Sequence, residues 1–275
     1  LKRLLYQFHV DFKDRSKNVF GESFDRVSVG EYWKHSTTFA KAYCERYGID
    51  YKFEFLSEEE YKPWAFGVET FDKYRAVQHL KDYDQVLYVD TDVIIHQNAD
   101  NIFEEFMHSG LVGYFDNVAD RYIHRDSSSL GKINSGVILF NNTNRNLKNG
   151  HGKLYNMDIF SGNYPCRGTP SETHILEKFS KGKWWEHWEE KHSENVIYLK
   201  NKTASDENFF HYIVNLYTLL PFHIGRKYNY RRKFSEKPFF RSGSEMIEVS
   251  PSFIHYEGAS KKLIYKDFEE GLFFK

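Results

Sequence analysis

Apolar residues recur along the chain with two alternating periods. LLYQFHV, within Arg3 to Val10, reads as an opening strand. From Glu31 to Tyr47 the apolar positions Tyr32, Phe39, Tyr43 and Tyr47 follow helical spacing, and Gly48 marks the stop. YKFEFL, Tyr51 to Leu56, alternates as a half-buried strand does. Phe71 to Leu80 is helical again, with Phe71, Tyr74, Val77 and Leu80 on one side. Val86 to Val89 (VLYV) is short and continuously apolar, the pattern of a strand buried on both faces of a parallel sheet. Helix followed by buried strand is the repeating unit of an open α/β sheet.

Two further strands are expected at Leu111 to Phe115 and Gly136 to Phe140. From Asn141 to Ser193 the chain is polar, glycine-bearing and aromatic-rich, and reads as helices and loops layered on the sheet. A helix is expected at Asp206 to Leu216 and a strand near Ser252 to His255, followed by a basic, aromatic tail. There is no internal repeat or low-complexity linker. One domain over residues 1–275 is expected, divided near residue 140 into halves of about 1–140 and 141–275.

Composition narrows the function classes. Hydrophobic residues make up 40% and charged residues 28%, which argues against wholesale disorder. A net charge of −1 supplies no global field for nucleic acid, so no nucleic-acid partner is expected. No apolar run approaches the roughly 20 residues of a membrane span, and no signal peptide is visible. The chain opens at Leu1, so two locations stay open: cytoplasmic, which is preferred, and lumenal if an N-terminal anchor was removed. Cys44 and Cys166 make neither a disulfide framework nor a zinc cluster. Acceptor tripeptides for N-glycosylation at Asn141 and Asn201 are too common by chance to decide a compartment. Aromatics reach 18%; most belong to a core, and some suit the faces of sugars.

The strongest chemical signal is VLYVDTDVII, Val86 to Ile95. Ligands of open α/β sheets bind beyond the carboxyl ends of the strands. Asp90 and Asp92 stand there, one residue apart. Two such carboxylates repel unless a cation sits between them. A hard divalent ion, Mn²⁺ or Mg²⁺, takes oxygen ligands and also holds phosphate oxygens. It would stabilise a departing diphosphate as a Lewis acid. Read alone, so short a motif is more often an ordinary strand-ending turn with solvated acids.

The second signal is FIHYEGASKK, Phe253 to Lys262. A neutral His255 suits a third ligand position. Gly258 would let the backbone approach a phosphate, and Lys261 would meet the diphosphate as a point charge. Each residue taken singly is more often structural; the combination with Asp90 and Asp92 is what points to a site.

Several further segments repeat a known order. Asp90-Thr91-Asp92 is followed by Asn134-Ser135-Gly136-Val137, then Ser205-Asp206-Glu207-Asn208, Leu220-Pro221 with Tyr228-Asn229, and His255-Tyr256-Glu257-Gly258 with Lys261. Over residues 70–265 the chain resembles retaining glycosyltransferases of family 8, the group of glycogenin and bacterial lipopolysaccharide galactosyltransferases. It departs where Lys262-Leu263 replaces a terminal Pro-Trp, and where Asp206-Glu207-Asn208 replaces the common Asp-Gln-Asp. The Asp-Glu pair also resembles blood-group galactosyltransferases, in a sister family.

The resemblance implies a GT-A, Rossmann-like fold with a mixed, mostly parallel sheet flanked by helices. It implies a UDP-sugar donor, a glycan or glycoprotein acceptor, and Mn²⁺ (or Mg²⁺) on Asp90, Asp92 and His255. Thr91 between the aspartates, and Asn134 and Ser135, would lie on the donor or acceptor. Gly258 and Lys261 would hold the diphosphate. Lys73 falls inside an apolar helical stripe, where a lysine must snorkel or find an anion, and the family places a basic residue near this point. Asp116, closing LVGYF, suits sugar hydroxyls or a plain strand-end turn. Asp206 is a good helix N-cap. Glu207 is either a first-turn acid facing the helix dipole or the carboxylate beneath the anomeric carbon; for that role Glu207 is preferred over Asp206. The Trp184-Trp185-Glu186-His187-Trp188 cluster is an acceptor platform or a packing plug.

Two other functions fit part of the pattern. Val86 to Val93 matches the Asp-x-Asp strand of haloacid-dehalogenase-like phosphatases, with Asp90 as nucleophile and Asp92 as acid. That motif usually opens its domain, and it leaves His255 and Lys261 without a role. A non-catalytic carbohydrate-binding protein on a transferase fold is the other alternative.

Overall fold

The computed structural model describes residues 1–11, 30–62, 69–107, 111–115, 133–141, 222–223, 226–232, 239–242, 245–248 and 250–274. The Trp184–Trp188 cluster, the helix expected at Asp206 to Leu216, and Asp116, Asp206, Glu207 and Cys166 lie outside the described residues.

β1 (Arg3–Asp11), α1 (Trp33–Tyr47) and β2 (Asp50–Ser57) form the first unit. α1 stops where its spacing predicts: Gly48 takes φ 62, and its N–H closes on the Cys44 carbonyl. A 3-10 helix (Glu69–Lys81) leads into β3 (Gln85–Val89). β4 (Val93–Ile95), α2 (Ile102–Glu105), β5 (Leu111–Phe115) and β6 (Ile133–Asn141) follow.

The six-stranded sheet runs β2-β1-β3-β6-β5-β7, with β7 at Phe222–His223. β1 is parallel to β2 and β3, and β5 is parallel to β7, whereas β6 runs antiparallel to both β3 and β5. Every residue of β3 is buried: Val86–Val89 as its unbroken apolar run requires, and Gln85 with its amide bonded to Asn141. The sheet has two covered faces. Leu5, Leu87, Val89, Val137 and Leu139 join the core beneath α1. The opposite parity carries Tyr6, which lies 5.0 Å from His79 of the 3-10 helix. This is the mixed, mostly parallel sheet flanked by helices that the sequence led us to expect.

A smaller three-stranded sheet, β4-β11-β8, stands beside it, with β8 at Tyr230–Arg231 and β11 at Phe253–His255. β9 (Phe239–Ser242) and β10 (Glu245–Glu248) pair as a separate antiparallel ribbon. The tail, which showed no element in the sequence, forms a short 3-10 helix (Gly258–Lys262) and α3 (Leu263–Glu269). Asp267 of α3 holds it in place. It accepts from both Arg232 Nε at 2.8 Å and Nη2 at 3.1 Å, and from the Tyr256 hydroxyl at 2.8 Å. Such a two-point guanidinium contact fixes both distance and plane. The sequon residue Asn141 is 2% exposed. It accepts from Gln85 Nε2 at 2.6 Å and donates to the Phe106 carbonyl at 2.9 Å, so in the folded chain it is a packing residue.

Candidate metal centre

β3 ends at Val89, and a tight turn carries the chain into β4 at Val93. The turn is tied at several points. Asp90 N–H donates to the Gly136 carbonyl at 2.8 Å, Val93 N–H to the Asp90 carbonyl at 3.1 Å, and Tyr256 N–H to the Asp92 carbonyl at 2.9 Å. Gln7, a polar residue in the middle of β1, supports it from below. Its amide donates to Ser36 Oγ at 2.9 Å and to the Asp90 carbonyl at 3.4 Å, while Ser36 Oγ donates to the Val93 carbonyl at 2.6 Å. Thr91 is 7% exposed, and its hydroxyl lies 3.1 Å from His9 Nδ1. The aspartates are therefore held on a backbone whose polar groups are occupied from β1, α1 and β6.

The two carboxylates have different neighbours. Asp90 Oδ1 accepts from the Tyr88 hydroxyl at 2.6 Å, and Oδ2 from Lys73 Nζ at 3.2 Å. Lys73 is 4% exposed and also donates to Ser135 Oγ at 2.9 Å and its carbonyl at 3.3 Å. The lysine that broke the apolar stripe thus found its anion on the opposite strand end. Burial, reinforced by the Asp90 charge, pushes the Tyr88 phenol well above its ordinary value, so it stays a donor.

Asp92 faces the tail. Its Oδ2 is 2.8 Å from Lys261 Nζ, and its Oδ1 is 3.3 Å from His255 Nε2. The imidazole contact is out of hydrogen-bond alignment, and Asp92 Oδ1 is a buried oxygen without a hydrogen-bond donor. Burial alone would raise this carboxyl; the Lys261 ammonium and the His255 ring outweigh it and hold the group far below the ordinary carboxylate range. Burial opposes charge on His255 and Lys261 as well, yet the Asp92 carboxylate outweighs it and raises both. Lys261 also lies 5.1 Å over the Tyr32 ring.

One ligand atom from each of Asp90, Asp92 and His255 lies within 4.8 Å of the others. Two carboxylates and an imidazole are a donor set for a divalent ion such as Mn²⁺, and the donorless Asp92 Oδ1 is an oxygen an ion would satisfy. The residues therefore fit the metal that the sequence implied. Without an ion, the repulsion between Asp90 and Asp92 is offset by two ammoniums, Lys73 on one and Lys261 on the other. Gly258 has φ 52, and a Cβ there would meet nothing within 4 Å. The glycine is needed for its left-handed backbone, which turns the chain into the helix bearing Lys261.

Around the imidazole stand Asn134, which the resemblance placed on the donor or acceptor, and three residues to which the sequence reading gave no role, Asn229, Glu257 and Gly136. Asn229 Oδ1 lies 2.9 Å from His255 Nδ1, and Asn229 Nδ2 donates to Asn134 Oδ1 at 2.7 Å. Asn134 also donates to Glu257, and Glu257 pairs with Arg231. Gly136 closes the back of the ring: a Cβ there would fall 2.6 Å from His255 Nδ1. Gln7 had a signal, as a polar residue inside an apolar strand. Asn229 had only its place in the Tyr-Asn pair.

No family model matches the chain, and no curated protein matches it. Several solved structures similar to it are glycosyltransferases. One, involved in glycosylating the major capsid of PBCV-1, is 10% identical over 98% of this chain and 99% of its own, with a TM-score of 0.47. The galactosyltransferase LgtC, in complex with donor and acceptor sugar analogues, is 12% identical over 93% of this chain and 87% of its own, with a TM-score of 0.40. Mouse xyloside xylosyltransferase 1 is 13% identical over 85% of this chain and 88% of its own, with a TM-score of 0.40. At such identities and scores, reaction and substrate have to be argued from the chain's own residues.

Proposed function

We propose that the chain is a metal-dependent glycosyltransferase that moves a sugar from a UDP-sugar to a glycan or glycoprotein acceptor with retention of configuration. The observation that carries this reading is the convergence of Asp90, Asp92 and His255 at the end of β3, around a buried oxygen that has no donor. Mn²⁺ held there would act as a Lewis acid on the diphosphate leaving group.

The chain's own groups then divide the work. Asp90 and Asp92 supply the negative charge that binds the ion. Lys261, on the turn set by Gly258, is within reach of the same carboxylate and is the cation for the diphosphate oxygens. Lys73, Thr91, Asn134 and Ser135 would serve the donor, a reading that rests on the sequence pattern together with the Lys73–Ser135 and Lys73–Asp90 contacts. Tyr88 keeps Asp90 fixed by a donated hydrogen bond. Asp116 would bind sugar hydroxyls, and Glu207, with Asp206 beside it, would supply the carboxylate under the anomeric carbon. These last three assignments rest on the sequence pattern. We also read residues 1–275 as one domain, with the donor bound mainly by residues 1–140.

The test is Mn²⁺-dependent release of nucleoside diphosphate from a panel of nucleotide sugars, run beside a phosphatase assay. Asp92→Asn is expected to lower turnover by a factor on the order of 10³ while the circular dichroism spectrum stays unchanged. Full activity of that variant at low Mn²⁺ sinks the metal assignment. Phosphate release without nucleotide-sugar turnover would favour the phosphatase.

A further inference from the structure

The His255 ring sits in a closed polar relay whose hydrogen-bond directions can be worked out from one end. The Gly136 N–H can only donate, and it lies 3.0 Å from Asn134 Oδ1, which fixes that atom as the carbonyl oxygen. Its other amide atom is then the NH₂, which faces the Glu257 carboxylate, an acceptor. The Asn229 atom 2.7 Å from Asn134 Oδ1 must therefore donate, so it is Nδ2. Its remaining atom is Oδ1, 2.9 Å from His255 Nδ1. A carbonyl oxygen only accepts, so His255 Nδ1 must carry the hydrogen. Glu257 Oε1, 3.6 Å from the same nitrogen, reinforces that sense. Asn134 and Asn229 are 1% and 0% exposed, so water does not blur these directions.

From this relay we infer that Asn229 is a positioning residue, holding the hydrogen on His255 Nδ1 so that Nε2, the nitrogen facing Asp92, is the one whose lone pair is available to an ion. The inference rests on the metal-centre reading, because an Nε2 ligand is what a divalent ion beside Asp92 requires. Gly136 completes the device, since only a bare Cα leaves room for the ring behind Asn229. A ligand imidazole oriented through its second nitrogen is a general feature of metal sites, and losing the orienting group weakens binding about 10–100-fold.

The experiment has two readouts on the whole chain. Two-bond ¹H–¹⁵N correlation spectra of metal-free protein at alkaline pH report the ring tautomer, with His255→Gln identifying the signal among 13 histidines. Calorimetric titration with MnCl₂ alone reports affinity. Wild type is expected to show the Nδ1–H pattern. Asn229→Ala is expected to shift the ring toward Nε2–H and to weaken Mn²⁺ binding about 10–100-fold. Asn229→Asp is the control for a merely structural role. Both variants lose the amide donor to Asn134, but only Asn229→Asp keeps an acceptor at Nδ1, so it should retain the Nδ1–H pattern and most of the affinity.

An Nε2–H ring in wild type overturns the inference, whether or not Asn229→Ala folds. So does equal loss of affinity in both variants, or no loss in Asn229→Ala while Asp92→Asn abolishes binding. Undiminished Mn²⁺ binding by Asp92→Asn instead removes the metal-centre reading itself.

Discussion

The two principal sheets are built on opposite principles. The six-stranded sheet takes β1, β2, β3, β5 and β6 from the first 141 residues, and β3, inside it, is buried throughout with its only non-apolar position at Gln85. The small sheet joins β8 and β11 from one late stretch of the chain to β4 from a much earlier one, each of two or three residues, and it adjoins the buried polar groups Asp92, Asn229 and His255. Hydrophobic burial stabilises the first sheet without regard to direction. The second shares that core, and at its edge adds a polar network that depends on which atom donates and which accepts. One apolar core runs under both sheets; what separates the two is the polar relay at the small sheet's edge, to which β6 lends Asn134 and Gly136.

That separation can be broken from either side. Leu87→Ala, in the fully buried β3, should cost about 2–5 kcal/mol in urea unfolding and leave Mn²⁺ affinity of the folded protein unchanged. A matching loss of affinity would mean that the large sheet also tunes the site. Gly136→Ala lies at the seam. Its Cβ has no room beside His255, so a loss of about 1–3 kcal/mol in stability should come with an Mn²⁺ affinity at least about tenfold weaker, read by melting and titration on the same sample. Loss of stability alone would show that the ring has another place to go.

Acidity probes the small sheet by itself. The Asp92 charge outweighs burial and raises the His255 pKa, so a bound ion must displace a proton at mildly acidic pH. Mn²⁺ affinity should rise about tenfold per pH unit until that raised pKa is passed, then level off. The same pairing works in the other direction on the metal-free fold. Its stabilisation is complete below the unfolded imidazole pKa of about 6.5 and is lost as pH climbs through the folded value. A flat affinity between pH 5.5 and 8 would contradict the assignment of His255 as a ligand. The smallest effect is expected from Lys261→Ala. Vacating Asp92 Oδ2 should tighten Mn²⁺ binding roughly two- to tenfold while weakening binding of the Mn²⁺–UDP pair. Weaker binding of both would make Lys261 a structural prop.

The elements that were legible in the sequence are those set by local periodicity. β1, α1 and β3 declare themselves because each repeats one burial pattern over several residues, and Gly48 ends α1 by backbone geometry alone. β4 and β8 are too short to show a period, and α3 is held by Asp267 pairing with Arg232 and Tyr256 rather than by a strong apolar stripe. Within the site, Asp90, Asp92, His255 and Lys261 stood out because charged or metal-ligating side chains at strand ends are conspicuous. Lys73 stood out because it interrupts an apolar face. Asn229 and Glu257 did not, since an amide or an acid in a loop looks the same whether it is solvated or directing a ring.

The order of residues by itself determined the strand-end carboxylates, the helices that cover the large sheet, and the chemistry available at the end of β3. Tertiary structure alone decided that His255 would face Asp92, that Lys73 and Lys261 would each take one carboxylate, and that Asn229 would set the imidazole's hydrogen. Periodicity is a short-range property fixed by bond geometry and solvent. Hydrogen-bond direction across strands far apart in sequence exists only once burial has removed water as the competing partner.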